Sequence, residues 1–144
     1  MPTNAPARIE LRDQFEVLRV LVFPTTNLTL LTIADKEGSA QLAAWVTPLK
    51  ERFPNGLVIE GIADVSAVPR PLRGMVRRQF KKAQSHSVML DWSGQTTKQF
   101  AIAPNQANVL LVDRNGSILK RLAGKATDAV IKELCETIEQ NLTK

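Results

Sequence analysis

Leu28-Thr29-Leu30-Leu31-Thr32-Ile33-Ala34 is a run of seven residues with no charge, no glycine and no proline. It is rich in β-formers, and both alternating sets of side chains are largely apolar. Such a strand has no face to give to water, so it must be covered on both sides. The fold must therefore put this strand inside a sheet with a packed layer above and another below. A chain of 144 residues is long enough for one such core. Its 44% hydrophobic and 23% charged residues are those of an ordinary globular domain. No apolar run approaches the ~20 residues of a membrane helix. The start, MPTNAPARIELRD, lacks the basic-then-apolar order of a signal peptide, and the chain reads as cytoplasmic. Residues 1–6 are expected to form a disordered tail to a single domain spanning 1–144.

The flanking segments supply the layers. ARIELRDQFEVLRVLVF (7–23) alternates in two halves about Asp13-Gln14, which predicts a hairpin. Leu42, Trp45, Val46, Leu49 and Phe53 share a helical face, and Pro48 should kink or divide that helix. LVIEGIAD (57–64) predicts a strand, and Pro71 suits the first turn of a helix over 72–83. SVMLDW (87–92) is a strand, with a short helical turn expected over 96–101. ANVLLVD (107–113) and SILKRLAG (117–124) are strands joined at Asn115-Gly116, a two-residue hairpin signal. Thr127 or Asp128 caps a last helix whose stripe includes Val130, Ile131, Leu134, Cys135, Ile138 and Leu142. Alternating β and α units imply parallel strands with right-handed crossovers, and the late hairpin adds an antiparallel pair. The expected fold class is α/β, a mixed sheet flanked by helices with an N-terminal β-hairpin.

This order, with VLLVDRNGSILKRLAG (109–124) and LTLLTIADKEGSAQLAAWVTPLKERFP (28–54), resembles the thioredoxin-like superfamily. The likeness is to the larger form, found in thiol peroxidases and membrane-linked thioredoxins. The Ile33-Ala34 entry to the turn and the small-residue helix start resemble the YtfJ-type bacterial group. The resemblance spans about residues 15–142. It implies a reactive turn of Cys-x-x-Cys or Thr-x-x-Cys type, whose two positions fall here on Lys36 and Ser39. It also implies a cis-proline near Ala107, with Pro104 three residues earlier and the loop rearranged.

The thiols that this resemblance implies are missing. Cys135 is the chain's one cysteine, so no internal disulfide exists, and with His86 as the one histidine a zinc site lacks ligands. Ser39 precedes a helix, but a hydroxyl needs a general base to act as a nucleophile. It reads instead as the helix cap, its oxygen accepting a backbone N–H. Cys135 lies on the apolar stripe of the last helix and reads as buried and inert. A redox role for it requires an accessible thiol of lowered pKa. Trp45 reads as core and Trp92 as partly exposed packing.

The net charge of +5 is concentrated. From Val65 to Leu90 there is no acidic residue, while Arg70, Arg73, Arg77, Arg78, Lys81 and Lys82 all lie there. Arg73, Arg77 and Lys81 fall at i, i+4 and i+8 on one stripe, and Leu72, Met75, Val76 and Phe80 are expected to face the core. This basic helix is either an anion site or a solvated face paired with acids from elsewhere. Aromatics are only 5% and tyrosine is absent, so stacking platforms for nucleic acid are scarce. Gly74 stands alone, and AGKAT (123–127) lacks the rest of a phosphate loop.

The reading is a thioredoxin-fold binding or assembly module without catalytic thiols or cofactor. Its partner is expected to be a protein or an anionic ligand, and its state a monomer or homodimer. The alternatives are a peroxiredoxin-like oxidoreductase using Cys135, and an anion or nucleic-acid binder through residues 70–82.

Overall fold

The computed structural model describes residues 2–142. Strands β1 (Arg8–Arg12) and β2 (Leu18–Val22) form the N-terminal hairpin. Then follow β3 (Leu28–Ala34), α1 (Lys36–Ser39), α2 (Leu42–Arg52) and β4 (Leu57–Asp64). A 3-10 turn at Arg70–Leu72 leads into α3 (Arg73–Ala83), then β5 (Met89–Asp91) and α4 (Gln95–Gln99). Strands β6 (Asn108–Val112) and β7 (Ile118–Ala123) precede α5 (Asp128–Leu142). The main sheet has the order β5-β4-β3-β6-β7. Strand β3 runs parallel to β4 and β4 to β5, whereas β6 is antiparallel to both β3 and β7.

The central run behaves as its composition requires: all seven residues of β3 are buried. Leu28 and Leu30 point into a core with Trp45 and Leu49 of α2 and with Leu134, Cys135 and Ile138 of α5. Leu31 and Ile33 point the other way, to Ile9, Phe23, Met89 and Phe100. Strand β6 splits the same way, Val109 and Leu111 to one side, Leu110 and Val112 to the other. The indole N–H of Trp45 donates to the Gly124 carbonyl at 2.9 Å, so its polar edge is satisfied inside the core.

The hairpin is anchored at its corner. One Asp13 oxygen accepts the N–H groups of Phe15 and Val17, and the other accepts the Ser87 hydroxyl. Burial alone raises this carboxyl above its ordinary 3.8; those hydrogen bonds and nearby Arg19 outweigh burial and lower it. The stability it contributes is therefore complete above about pH 4 and is lost as pH falls further, towards the folded-state value. Gln14, fully buried, donates to the carbonyls of Gln84 and His86 and accepts the Val88 N–H. A bridge between Asp13 and Met89 ties this corner to β5.

Several expectations are corrected. Residues 2–6 are not a free tail: the Thr3 carbonyl accepts the Ile118 N–H, and the Ala5 N–H donates to the Gly116 carbonyl. They cover the start of β7, whose outer groups need partners. Met1 lies outside the described residues. Pro48 does not divide α2; the interruption falls at Ala40-Gln41, between α1 and α2. The strand expected over 87–92 is ordered as β only at Met89–Asp91. The late turn is a three-residue loop in which only Gly116, φ +92°, is left-handed. Asp113 shapes it by accepting the N–H groups of Asn115 and Ser117.

Candidate functional site

The carboxyl ends of the parallel strands carry the turn that the resemblance singled out. Ser39 does not cap the helix. Its hydroxyl donates to the Lys36 carbonyl at 2.7 Å, and Asp35 is the N-cap, accepting the Gly38 N–H at 2.8 Å. A residue already inside the first turn has no free N–H ahead of it to accept. Lys36, Glu37 and Ser39 are exposed and Gly38 is buried. The Ser39 hydroxyl is engaged with a carbonyl rather than a base. His86, on the loop after α3, has its pKa lowered by burial and then by Lys50.

The turn is clasped to the loop before β6. The second Asp35 oxygen accepts the Asn105 N–H at 2.7 Å, and the Gln41 side chain accepts the Ala107 N–H at 2.9 Å. Between these bonds Gly38 meets the Gln106 backbone so closely that a Cβ would lie 2.2 Å from its carbonyl oxygen. The loop is braced from behind by Asn108, which exchanges bonds with Ala103 and donates to the Gln106 carbonyl. Ala107 is fully buried, its N–H held by Gln41 and its carbonyl by Gly124. The cis peptide bond among the described residues is Phe23–Pro24, at neither Pro104 nor Ala107.

Sequence reasoning passed over a row of aspartates here. Asp35, Asp64 and Asp91 stand at the ends of the neighbouring strands β3, β4 and β5, and a shallow cavity of about 320 Å³ is bordered by Asp35, Asp64, Ser66 and Thr97. The repeated Ile-Ala-Asp at 33–35 and 62–64 was the available signal. Each carboxyl is engaged locally: Asp64 with Ser66, Asp91 with Gly94 and Thr97. Among the described residues no group of three or more potential ligands is placed to hold a metal. The row closes loops onto the sheet.

Cys135 lies far from the turn in sequence and is 6% exposed, among the core of α2, β3 and α5. Burial raises its pKa, and the nearby Arg52 only partly opposes this. The accessible, acidified thiol that a one-cysteine oxidoreductase needs is not there.

The basic helix is split by its packing. Val76 and Phe80 face Ala63, Val65 and Leu90 as expected, but Leu72 and Met75 are exposed at 44% and 45%. Arg73 lies over the Trp92 ring at 5.3 Å, and Arg77 pairs with Glu16 of the hairpin at 3.4 Å. Those two belong to the half-buried side of α3. Arg70, Arg78, Lys81 and Lys82 are exposed, and none has an ion-pair partner among the described residues. The packing thus leaves these four and Leu72 and Met75 in water.

No protein-family model matches the chain, and no curated protein matches it in sequence. Solved structures match its shape. A Chlorobium tepidum protein provisionally named as the thiol:disulfide interchange protein DsbE has a TM-score of 0.74 and 17% identity, with 99% of each chain covered. The exposed lipoprotein thioredoxin Etrx1 of Streptococcus pneumoniae gives 0.73 and 14%, covering 93% of this chain and 99% of that one. The thioredoxin domain of a thiol-disulfide oxidoreductase from Bacteroides vulgatus gives 0.68 and 15%, covering 96% and 99%. The mixed sheet between helices, the N-terminal antiparallel hairpin and these neighbours identify a thioredoxin-like fold.

Proposed function

We propose that this chain is a binding module that keeps the thioredoxin-like fold and carries out no thiol–disulfide exchange. The observation that carries the reading is the clasp of the 35–41 segment onto residues 105–107, at a turn without sulfur. Disulfide exchange needs an attacking thiolate, and release of the mixed disulfide needs a second thiol. Cys135, the one sulfur nucleophile, is buried and its pKa raised. Within the fold, the Ile33-Ala34 entry and the late hairpin support a YtfJ-type assignment. A cytoplasmic location belongs to the same proposal and is tested by cell fractionation, since the pneumococcal neighbour is an exposed lipoprotein. Among the described residues no helix is long and apolar enough to cross a membrane.

Purified protein is expected to reduce a disulfide reporter and consume peroxide no faster than a Cys135→Ala variant. Cys135 is expected to react with iodoacetamide at least ten-fold more slowly than free cysteine at pH 8, and at the free rate once unfolded. Turnover well above the variant, or fast alkylation of the native thiol, overturns the reading.

A second surface serves the binding role. Arg70, Arg78, Lys81 and Lys82, exposed around α3 and without an ion-pair partner among the described residues, support contact with an anionic partner. Binding to a polyglutamate peptide or a single-stranded oligonucleotide is expected to weaken steeply with salt. Arg78→Glu/Lys82→Glu should lower affinity at least ten-fold, while Glu37→Gln leaves it unchanged. Equal binding by wild type and the double variant reduces α3 to a solvated face.

A further inference from the structure

Eight large apolar residues among those described are well exposed, and five of them lie in the hairpin: Phe15, Val17, Leu18, Val20 and Val22, at 41–54%. Among the described residues strand β2 pairs with β1 alone, which leaves its other edge open. The ladder determines which groups face that edge. Asp13 donates to the Val17 carbonyl and Phe23 to the Ala7 carbonyl, which makes 17, 19, 21 and 23 the residues bonded to β1. The N–H and C=O groups of Leu18, Val20 and Val22 therefore turn outward, from the residues whose side chains are exposed. Native edges are normally guarded by lysine, proline, bulges or a covering loop. Residues 17–22 hold no lysine and no proline, and Arg19, the one charge among them, is turned inward and neutralised by Glu60.

We infer that this edge is the interface for a second copy of the chain, which adds its own β2 antiparallel about a two-fold axis at Val20. Leu18 then faces Val22 of the other copy, and Val20 faces itself, so the outward side chains of the two paired β2 strands form one uncharged strip, bordered on each side by Arg8, Glu10 and Arg12 of β1. The register follows from two residues. An axis at Arg19 would set two guanidinium groups opposite each other, and like charges across a ladder are unfavourable. An axis at Leu21 would oppose Leu18 to Pro24, which has no N–H to give. With the axis at Val20, Arg19 lies opposite Leu21 and keeps its two bonds to Glu60, at 3.0 and 3.1 Å.

The size of the patch sets the strength. Those five side chains expose on the order of 400 Å² per copy, about half of the ~800 Å² that each partner contributes to a standard interface. The main-chain ladder and the flanking Arg8, Glu10 and Arg12 supply more contact. A dissociation constant of about 1–100 µM is the consistent range. This inference is independent of the thiol reading, and either can fail without the other.

The test is sedimentation equilibrium of the whole chain from about 5 to 500 µM. A monomer–dimer equilibrium is expected for wild type, retained by Val20→Thr and weakened at least ten-fold by Val20→Lys. Circular dichroism and thermal unfolding of the three proteins should agree, since position 20 is on the surface. As a check of register, Val20→Cys in a Cys135→Ser background should cross-link to itself on mild oxidation, and Arg19→Cys should not. A wild-type chain that stays monomeric throughout overturns the inference and leaves the edge to a strand from another protein. A dimer that survives Val20→Lys assigns the interface elsewhere and overturns it equally.

Discussion

Gly38→Ala is expected to destabilise the protein by about 2–4 kcal/mol, far more than an ordinary Gly→Ala change in a helix turn, which is normally neutral or favourable. The added methyl would lie 2.2 Å from the Gln106 carbonyl oxygen and 2.9 Å from the Ala107 nitrogen. These are backbone atoms, so no rotamer change relieves the overlap. The loop is also held from behind by Asn108 and Gly124. Relief requires the 35–41 segment and the 105–107 loop to part, which strains the bonds from Asp35 to Asn105 and from Gln41 to Ala107. The check is urea unfolding: the midpoint should fall with the m-value unchanged. An unfolding free energy within about 0.5 kcal/mol of wild type would mean that the clasp yields freely. The turn would then be an open surface, and the binding reading would lose its main support.

Asp91→Ala is expected to cost about 3–5 kcal/mol. Its side chain is fully buried, and its two oxygens accept the Gly94 N–H at 3.1 Å and both the N–H and hydroxyl of Thr97 at 2.8 Å. Alanine leaves those donors in the interior with neither partner nor water, and each orphaned donor costs about 1–3 kcal/mol. Asp91→Asn should recover part of the loss, because one carbonyl oxygen still accepts. Denaturant unfolding gives the size, and hydrogen exchange at residues 94–99 gives the place: their amides should exchange faster in the alanine variant. Uniform loss of protection across the sheet with no excess at 94–99 would show that Asp91 does not act by holding α4.

Local pattern was enough wherever a residue's environment depends on its own element. The Leu28–Ala34 run required two covering layers, and Leu30 and Leu31 indeed enter opposite cores. The stripe of α5 was legible because its face is one-sided: Leu134, Cys135 and Ile138 are its buried residues. The hairpin at Asp13-Gln14 was legible from alternation, though not the role of those two residues as its anchors. The turn at 35–39 was misread because Ser39 and Asp35 are both good caps by type. What selects Asp35 is its contact with Asn105, 70 residues away. The helix at 73–83 was half misread for a similar reason. Its apolar residues span too wide an arc for one contact, and the strands beneath take Val76 and Phe80 but not Leu72 and Met75.

The amino-acid sequence by itself determined the class of fold, the alternation of strands and helices, and the lack of a second thiol. These follow from periodicity, breakers and composition, which act within about ten residues of each position. Tertiary structure alone decided that Gly38 is pressed against Gln106 and that residues 2–6 lie along β7. It also decided that Arg73 and Arg77 are engaged while Arg78, Lys81 and Lys82 have no ion-pair partner among the described residues, and that β2 is left with an open edge whose outward side chains are apolar. Each of these depends on which distant element arrives to satisfy a backbone group or cover an apolar face. Residue type fixes what a group needs, and the packed chain fixes whether the need is met from within.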